Sequence, residues 1–348
     1  MILVTGGSGF IGSNFILGML SHNSERVINL DKLTYASNQN SLRSLANDDR
    51  YIFKQGDIGN RILVSNILAE YKPRAIINFA AESHVDRSIE DSSSFIQTNI
   101  VGTHNLLECS RQYYDYLRGE AKARFRFLHI STDEVYGTLG SADKPFTEEN
   151  QYKPNSPYSA SKASSDHLVR AYNHTYGFPV LTTNCSNNYG AFQHPEKLIP
   201  LCIHRAINSR EIPIYGDGSQ IRDWLFVADH CRAIEKVLDK GRIGEVYNVG
   251  GWNEKTNLVV VNTICEILDE LQPRGDSLSY KSQIVFVEDR PGHDQRYAVD
   301  ATKILSNMGW QPKETFESGL LKTIKWYLSN TDWVAGIYEK QMEEGLDD

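Results

Sequence analysis

The sequence predicts an α/β protein, a doubly wound parallel sheet with a smaller, interleaved C-terminal α/β substrate domain. Three observations predict it. Short apolar runs (Ile2-Leu3-Val4, Arg26-Val27-Ile28-Asn29-Leu30, Tyr51-Ile52-Phe53-Lys54 and Ala75-Ile76-Ile77-Asn78-Phe79) alternate with helix-length stretches, the rhythm of a sheet buried on both faces. A glycine-rich turn, Gly6 to Gly12, separates the first run from the first helix. An acidic residue, Asp31, closes the second run nineteen residues beyond Gly12.

The turn reads Thr5-Gly6-Gly7-Ser8-Gly9-Phe10-Ile11-Gly12. Gly7, Gly9 and Gly12 satisfy G-x-G-x-x-G, and Gly6, Gly9 and Gly12 satisfy the looser G-x-x-G-x-x-G. Glycines there permit the tight turn and let the backbone approach a pyrophosphate seated on the N-terminus of the helix from Phe10. A carboxylate at Asp31 can accept both hydroxyls of a ribose and repels a 2'-phosphate, which favours NAD over NADP, with Lys32 beside it as a counterweight. Asp57, after the third strand, can reach an adenine edge. The small residues Ala80-Ala81-Glu82-Ser83 after the fourth leave space for a ligand.

Further along, Phe95 to Arg111 reads as a helix and Arg124 to Ile130 as a strand. That strand ends in Ser131-Thr132-Asp133-Glu134-Val135-Tyr136-Gly137. Such residues also serve as helix caps. As a site, two adjacent carboxyls beside one substrate can hold opposite protonation states, one acting as acid and the other as base. Ser156 reads as an N-cap, Pro157 as the first helical residue and Gly177 as the stop. On that helix Tyr158 and Lys162 are four apart and share a face. A fixed ammonium one turn away is expected to draw the phenol below its usual pKa of about 10 and make Tyr158 a usable proton acceptor.

Val180 to Cys185 is another strand, ending in Asn187-Asn188, side chains suited to hydroxyls and an amide; Cys185 reads as a small packed hydrophobe. Beyond it come a helix opening at His194-Pro195-Glu196-Lys197-Leu198, two strands around Gly216-Asp217-Gly218, a helix capped by Asp229, a strand at 245–249, a helix at 258–271, a strand at 284–287, and a helix from about Phe316 to Leu328. Arg222 and Arg290 are the guanidinium forks suited to a diphosphate. The division expected is 1–185 plus about 223–250 for the dinucleotide, and about 186–222 plus 251–348 for the substrate.

A net charge of -8 and the absence of basic tracts argue against nucleic acid and a membrane surface as partners. The five cysteines are scattered and form no C-x-x-C pair, so reduced thiols and no metal site are expected. No apolar run approaches the ~18 residues of a membrane span, and the N-terminus enters a strand at once; a cytoplasmic location is the expectation.

Through the glycine turn, Asp31 and Tyr158 to Lys162, the chain resembles the extended short-chain dehydrogenase/reductase superfamily with its Rossmann sheet. It is similar in particular to the dTDP-glucose 4,6-dehydratase family. The resemblance runs through Asp31-Lys32-Leu33-Thr34-Tyr35, Ala80 to Ser88, Ser131 to Gly137, Asn184 to Gly190 and Asp289-Arg290-Pro291-Gly292-His293. The Thr-Asp-Glu run discriminates, since related 4-epimerases lack the acid pair. One departure is Ala191, where the family commonly has Pro. The resemblance implies that Tyr158, supported by Lys162 and Thr132, takes the proton of the glucose 4-hydroxyl while C4 gives hydride to NAD. Glu134 then removes the C5 proton as Asp133 protonates the departing 6-hydroxyl, and hydride returns to C6.

The same resemblance assigns NAD to Gly6, Gly9, Phe10, Ile11, Gly12, Asp31, Lys32, Leu33, Thr34, Asp57, Ile58, Phe79, Ala80, Ala81, Glu82, Ser83, Thr98, Tyr158, Lys162 and Asn188. It assigns the sugar nucleotide to Ser83, Thr132, Asn187, Lys197, Leu198, Pro213, Ile214, Tyr215, Arg222, Asn257, Asp289, Arg290, Pro291, Gly292 and His293. It also implies a homodimer joined by the helices around Phe95 and Tyr158. Two other readings stand beside it: a sugar-nucleotide 4-epimerase, which has no task for Asp133 and Glu134, and a non-catalytic dinucleotide sensor, which has no use for tuned acids. Between dTDP and UDP the difference is one methyl group, worth about 1–3 kcal/mol, and the residue pattern leaves the choice open.

Overall fold

The computed structural model describes residues 1–289 and 292–343, so Arg290 and Pro291, assigned above to the sugar nucleotide, lie outside the described residues. Ile2–Thr5 (β1), Val27–Asp31 (β2), Tyr51–Gln55 (β3), Ala75–Asn78 (β4), Arg126–Thr132 (β5), Val180–Cys185 (β6) and Val246–Val249 (β7) form one seven-stranded sheet. Its order is β7-β6-β5-β4-β1-β2-β3 and each pairing is parallel. This is the doubly wound sheet that the apolar runs predict. The direction of winding reverses between β1 and β4, which opens a crevice at the carboxyl ends of those strands.

Alternate strand residues feed two cores. Ile2 and Val4 pack with Phe15, Ile16 and Met19 of the Phe10–His22 helix and with Ile234 and Val237 of the Val227–Lys240 helix. Leu3 and Ile28 pack on the other face with Val64, Ile67, Leu106, Leu107 and Val169. A third core holds Ile203, Ile264, Leu268, Leu320 and Ile324 from the helices Leu198–Ile207, Asn257–Leu271 and Phe316–Ser329, over short strands that include Ile212–Tyr215 and Ile221–Phe226. Ala301, Ile304, Met308 and Trp310, in the stretch that the sequence groups with the smaller unit, pack instead with Tyr247 and Val249 on the large sheet. Their apolar side chains cover the exposed face of β7 at the sheet's edge.

Three local expectations shift. The helix predicted from Phe95 to Arg111 is a helical run from Ser93 to Tyr116 that passes through a π-helical stretch at Ile96–Gly102. The wider turn belongs to the class of interruption that recurs at functional sites. The strand predicted from Arg124 begins at Arg126, after a short helix Gly119–Arg124. Asp229 lies in the first turn of its helix and not at the cap, because its carboxylate accepts from the amides of Lys313 and Glu314, each at 2.9 Å. The final helix, Thr331–Glu343, was not anticipated.

Candidate active site

A cavity of about 310 Å3 opens at the carboxyl ends of the central strands. Its floor is the glycine turn. Gly6 has φ +71°, and a Cβ there would sit 2.6 Å from the amide nitrogen of Ala80; a Cβ on Gly12 would sit 2.4 Å from the carbonyl oxygen of Gly6. Only glycine fits either place, so the backbone itself forms a concave wall. Beside it Asp31 is buried and accepts from the amides of Ser8 and Leu33, both at 2.8 Å, and from the Ser37 hydroxyl at 3.0 Å. Those three donors fix the carboxylate at the end of β2, where it fits the two hydroxyls of a ribose. Lys32 turns away to Asp57 at 2.8 Å. With Lys32 so engaged, nothing cancels the repulsion between Asp31 and a 2'-phosphate, and the residues present fit an NAD-type dinucleotide.

The helix Pro157–Tyr176 begins as the sequence predicts, with Ser156 and Ser159 in a reciprocal capping box and Gly177 closing it in the left-handed region. It presents Tyr158 and Lys162 to the same cavity as Thr132, Asp133 and Glu134 from the end of β5. The Lys162 ammonium donates to the carbonyl of Ile130 at 2.8 Å. The expected fall in the Tyr158 pKa does not occur in the chain by itself. Burial pushes the phenol well above its ordinary value, Glu134 and Cys185 push the same way, and the Thr132 hydrogen bond opposes them. Burial also lowers Lys162, against the pull of Asp166 and Cys185. The helical spacing brings the pair to one wall, but in so dry a place desolvation is the largest influence on the phenol.

Asp133 is fully enclosed, and its pKa stands well above the usual carboxylate range: burial raises it most, then the charges of Glu134 and Asp223, with Arg222 and Thr132 opposing. A carboxyl shifted in that direction suits an acid. Asn99, drawn inward by the π-helical stretch, donates to Ser161 at 2.8 Å and to the carbonyl of Glu82 at 3.0 Å, tying the β4 loop to the Tyr158 helix.

Of the residues singled out by sequence, the cavity wall takes Gly6, Gly9 to Gly12, Asp31, Lys32, Thr34, Asp57, Ile58, Phe79 to Ser83, Thr98, Thr132 to Glu134, Tyr158, Lys162, Asn187, Asn188 and Lys197. Leu33, Leu198, Pro213, Ile214, Tyr215, Arg222, Asn257, Asp289, Gly292 and His293 are not part of that wall. Ile214 belongs to the third core. Arg222 is buried beneath the short strands, donating to the carbonyls of Ile221 at 2.8 Å and Asp294 at 3.0 Å, with its guanidinium 4.4 Å from the Tyr297 ring centre.

Sequence reasoning missed other members of the wall. His194 and Glu196 line it; the Glu196 carboxylate lies 3.5 Å from His84 and 3.6 Å from His194, and burial raises its pKa. His230 was missed too: it is buried, its pKa is lowered to about 3 by burial, and its Nδ1 donates to Asn188 at 2.9 Å. The Ala191 carbonyl accepts from Asn14 at 2.8 Å, so this loop is tied to the first helix although it lacks the family's Pro.

The comparisons bear on this geometry. A family model described as GDP-mannose 4,6 dehydratase matches residues 3–323. A dTDP-glucose 4,6-dehydratase of Xanthomonas campestris pv. campestris (strain B100) is 59% identical over 337 residues, covering 97% of this chain and 95% of the relative. The chain is also similar to the solved structure of a dTDP-glucose 4,6-dehydratase from Bacillus anthracis in complex with NAD, with TM-score 0.85, 46% identity, and 97% and 99% of the two chains covered. A dTDP-glucose 4,6-dehydratase from Streptomyces venezuelae, solved with NAD bound, superposes with TM-score 0.87 at 42% identity over 97% and 99% of the chains.

Proposed function

The chain belongs to the GDP-mannose 4,6-dehydratase family, on its dTDP-glucose 4,6-dehydratase branch, and we propose that this cavity converts dTDP-glucose into dTDP-4-keto-6-deoxyglucose with NAD as its cofactor. The observation that carries this reading is Asp133, a buried carboxyl whose pKa is pushed upward, beside Glu134 in the wall that also holds Tyr158. A 4-epimerase needs a proton acceptor at Tyr158 and has no use for the acid pair.

The glycine turn and Asp31 would hold the dinucleotide, together with Lys32, Leu33, Thr34, Asp57, Ile58, Phe79 to Ser83, Thr98 and Asn188. When bound, NAD supplies a hydride acceptor for C4 and a hydride donor for C6. Tyr158 would take the proton of the 4-hydroxyl as a phenolate, the form that the Lys162 ammonium and the positive charge of a bound NAD would favour against burial, with Thr132 orienting the exchange. The resulting 4-ketone acidifies the C5 proton, which Glu134 removes and later gives back to C5 as C6 is reduced. Asp133 delivers its proton to the 6-hydroxyl, which departs as water. Between them the two carboxyls supply a base and an acid of opposite charge state, as the elimination requires. Ser83, Asn187 and Lys197 meet the sugar nucleotide from the cavity wall, and Arg222 on its short strand, Asn257 at the start of its helix, Asp289 and His293 are assigned the nucleotide.

The domain division stands with this proposal: 1–185 with about 223–250 for the cofactor, and about 186–222 with 251–348 for the sugar nucleotide, apart from the segment around Ile304. A homodimer is supported by the exposed apolar side chains of Ile89, Ile96 and Val101 on elements flanking Phe95. A cytoplasmic location accords with five free, buried cysteines. Among the described residues no helix is long and apolar enough to cross a membrane.

The test is product analysis by proton NMR after incubation with dTDP-glucose and, separately, UDP-glucose. A new 6-methyl signal beside a 4-ketone is expected, faster from dTDP-glucose; dTDP-galactose would indicate the epimerase, and unchanged substrate the sensor.

A further inference from the structure

The Tyr158 helix carries a second buried charge that the reaction above does not use. Asp166 lies one turn beyond Lys162 and two beyond Tyr158, and it is 5% exposed. No Arg or Lys lies within ion-pair distance of it among the described residues. One carboxylate oxygen accepts from the Ser131 hydroxyl at 2.8 Å, and the other faces His129 Nε2 at 3.3 Å. Ser131 directly follows Ile130, the residue whose carbonyl holds the Lys162 ammonium. Two adjacent residues of β5 therefore grip the Lys162 ammonium and the Asp166 carboxylate, one turn apart on the helix. A buried carboxylate is costly unless its charge is used.

Resting on the dehydratase reading, we propose that Asp166 is a positioning residue for the proton transfer at C4: its fixed negative charge keeps Lys162 protonated in a wall dry enough to neutralise it. Lys162 and Asp166 form no direct ion pair, so the coupling is through space, between opposite charges one helical turn apart. Asp166 pulls the Lys162 pKa upward against burial, which lowers it.

The other titratable groups facing this pair can be named. From β5, His129 is buried and its pKa is lowered, first by burial and then by Lys162, so it stays neutral and leaves the Asp166 charge uncancelled. Tyr152 contributes a neutral phenol, raised by burial and by Asp166, whose oxygen accepts from Asn184 at 3.0 Å. Tyr136 is likewise raised and neutral. From β6, Cys185 is pushed up to about 12 by burial and by Asp133, and so is a neutral thiol at working pH. On the cavity side stand Tyr158, Asp133 and Glu134. Asp166 is thus the compensating charge behind Lys162 that no step of the elimination consumes.

The experiment compares pH profiles of kcat/KM for dTDP-glucose in the wild-type holoenzyme, Asp166→Asn and Asp166→Glu. Asp166→Asn is expected to move the alkaline limb, where Lys162 loses its proton, toward lower pH by about one unit or more, and Asp166→Glu to restore it. Asp166→Ser leaves room for water on Ser131 and reads the same limb if the Asn variant does not fold. Independently of turnover, nitrogen-15 NMR of lysine-labelled protein, with the Lys162 signal assigned from Lys162→Arg, should show the ammonium titrating at lower pH in Asp166→Asn. An unmoved limb, or an unmoved Lys162 titration, overturns the proposal. Failure of the wild type to turn over dTDP-glucose overturns the dehydratase reading, while the NMR titration still decides the role of Asp166.

Discussion

The Thr132 hydroxyl lies 3.4 Å from one oxygen of the Asp133 carboxyl, whose other oxygen is buried without a hydrogen-bond partner among the described residues. An unsatisfied buried oxygen costs about 1–3 kcal/mol, and a fold keeps it only where something else uses it. Here the use is chemical. A neutral carboxyl can turn its proton to a departing hydroxyl without first losing a competing partner.

Asp133→Asn keeps the shape and removes the transferable proton. It should leave oxidation at C4 nearly intact and slow the loss of water by about 10²–10⁴-fold. Rapid-quench mass spectrometry should then find dTDP-4-ketoglucose accumulating. Equal slowing of both steps would assign the acid role elsewhere.

The same carboxyl has a stability consequence. Its folded pKa lies above the unfolded value of about 3.9, so the native state binds the proton more tightly and stability falls as pH rises from the unfolded value toward the folded one. Asp133→Asn abolishes that dependence. Its melting temperature relative to wild type should therefore increase between mildly acidic and alkaline pH, read by scanning calorimetry.

Asp223, buried and held by the amides of Gly251 and Asn253 at 2.7 Å each, is one of the charges that raise the Asp133 pKa. Asp223→Asn removes that charge and lowers the Asp133 pKa. The dehydration rate, which falls as Asp133 loses its proton, should then begin to fall at lower pH. A profile that stays in place would show that burial alone sets the acid.

Tyr158→Phe conserves volume, so the fold should survive while C4 oxidation drops by about 10²–10⁴-fold, measured in a single turnover with excess enzyme.

Gly12→Ala places a methyl group against the Gly6 carbonyl and the Gly7 Cα, 2.4 and 2.8 Å away. Both contacts are backbone and cannot rotate aside. NAD affinity should weaken by 100-fold or more by calorimetric titration, whereas Gly18→Ala, with open space around its Cβ, should change nothing.

Much of this site was legible because its signals are local. The glycine turn, Asp31 at its strand end, the Ser156 cap and the Tyr158–Lys162 spacing each lie within a few residues of chain, where geometry follows from the backbone. What escaped reading depends on distant contacts. His230 orients Asn188 from a helix that begins about forty residues later, and His129 meets Asp166 across a strand and a helix. The protonation of Tyr158 was misjudged for the same reason: spacing supplies Lys162, but the depth of burial comes from β5, β6 and the loops packed around them. Trp310 and Ile304 likewise joined the large sheet because β7 needed covering, which no window of sequence displays.

The central claim is that one cavity oxidises C4, removes water across C5 and C6, and returns the same hydrogen to C6. Supplying dTDP-glucose deuterated at C4 and following the label by deuterium NMR tests it most directly. Transfer of the deuterium into the 6-methyl group of a 4-keto product is the predicted result; deuterium retained at C4 of an inverted sugar would contradict it.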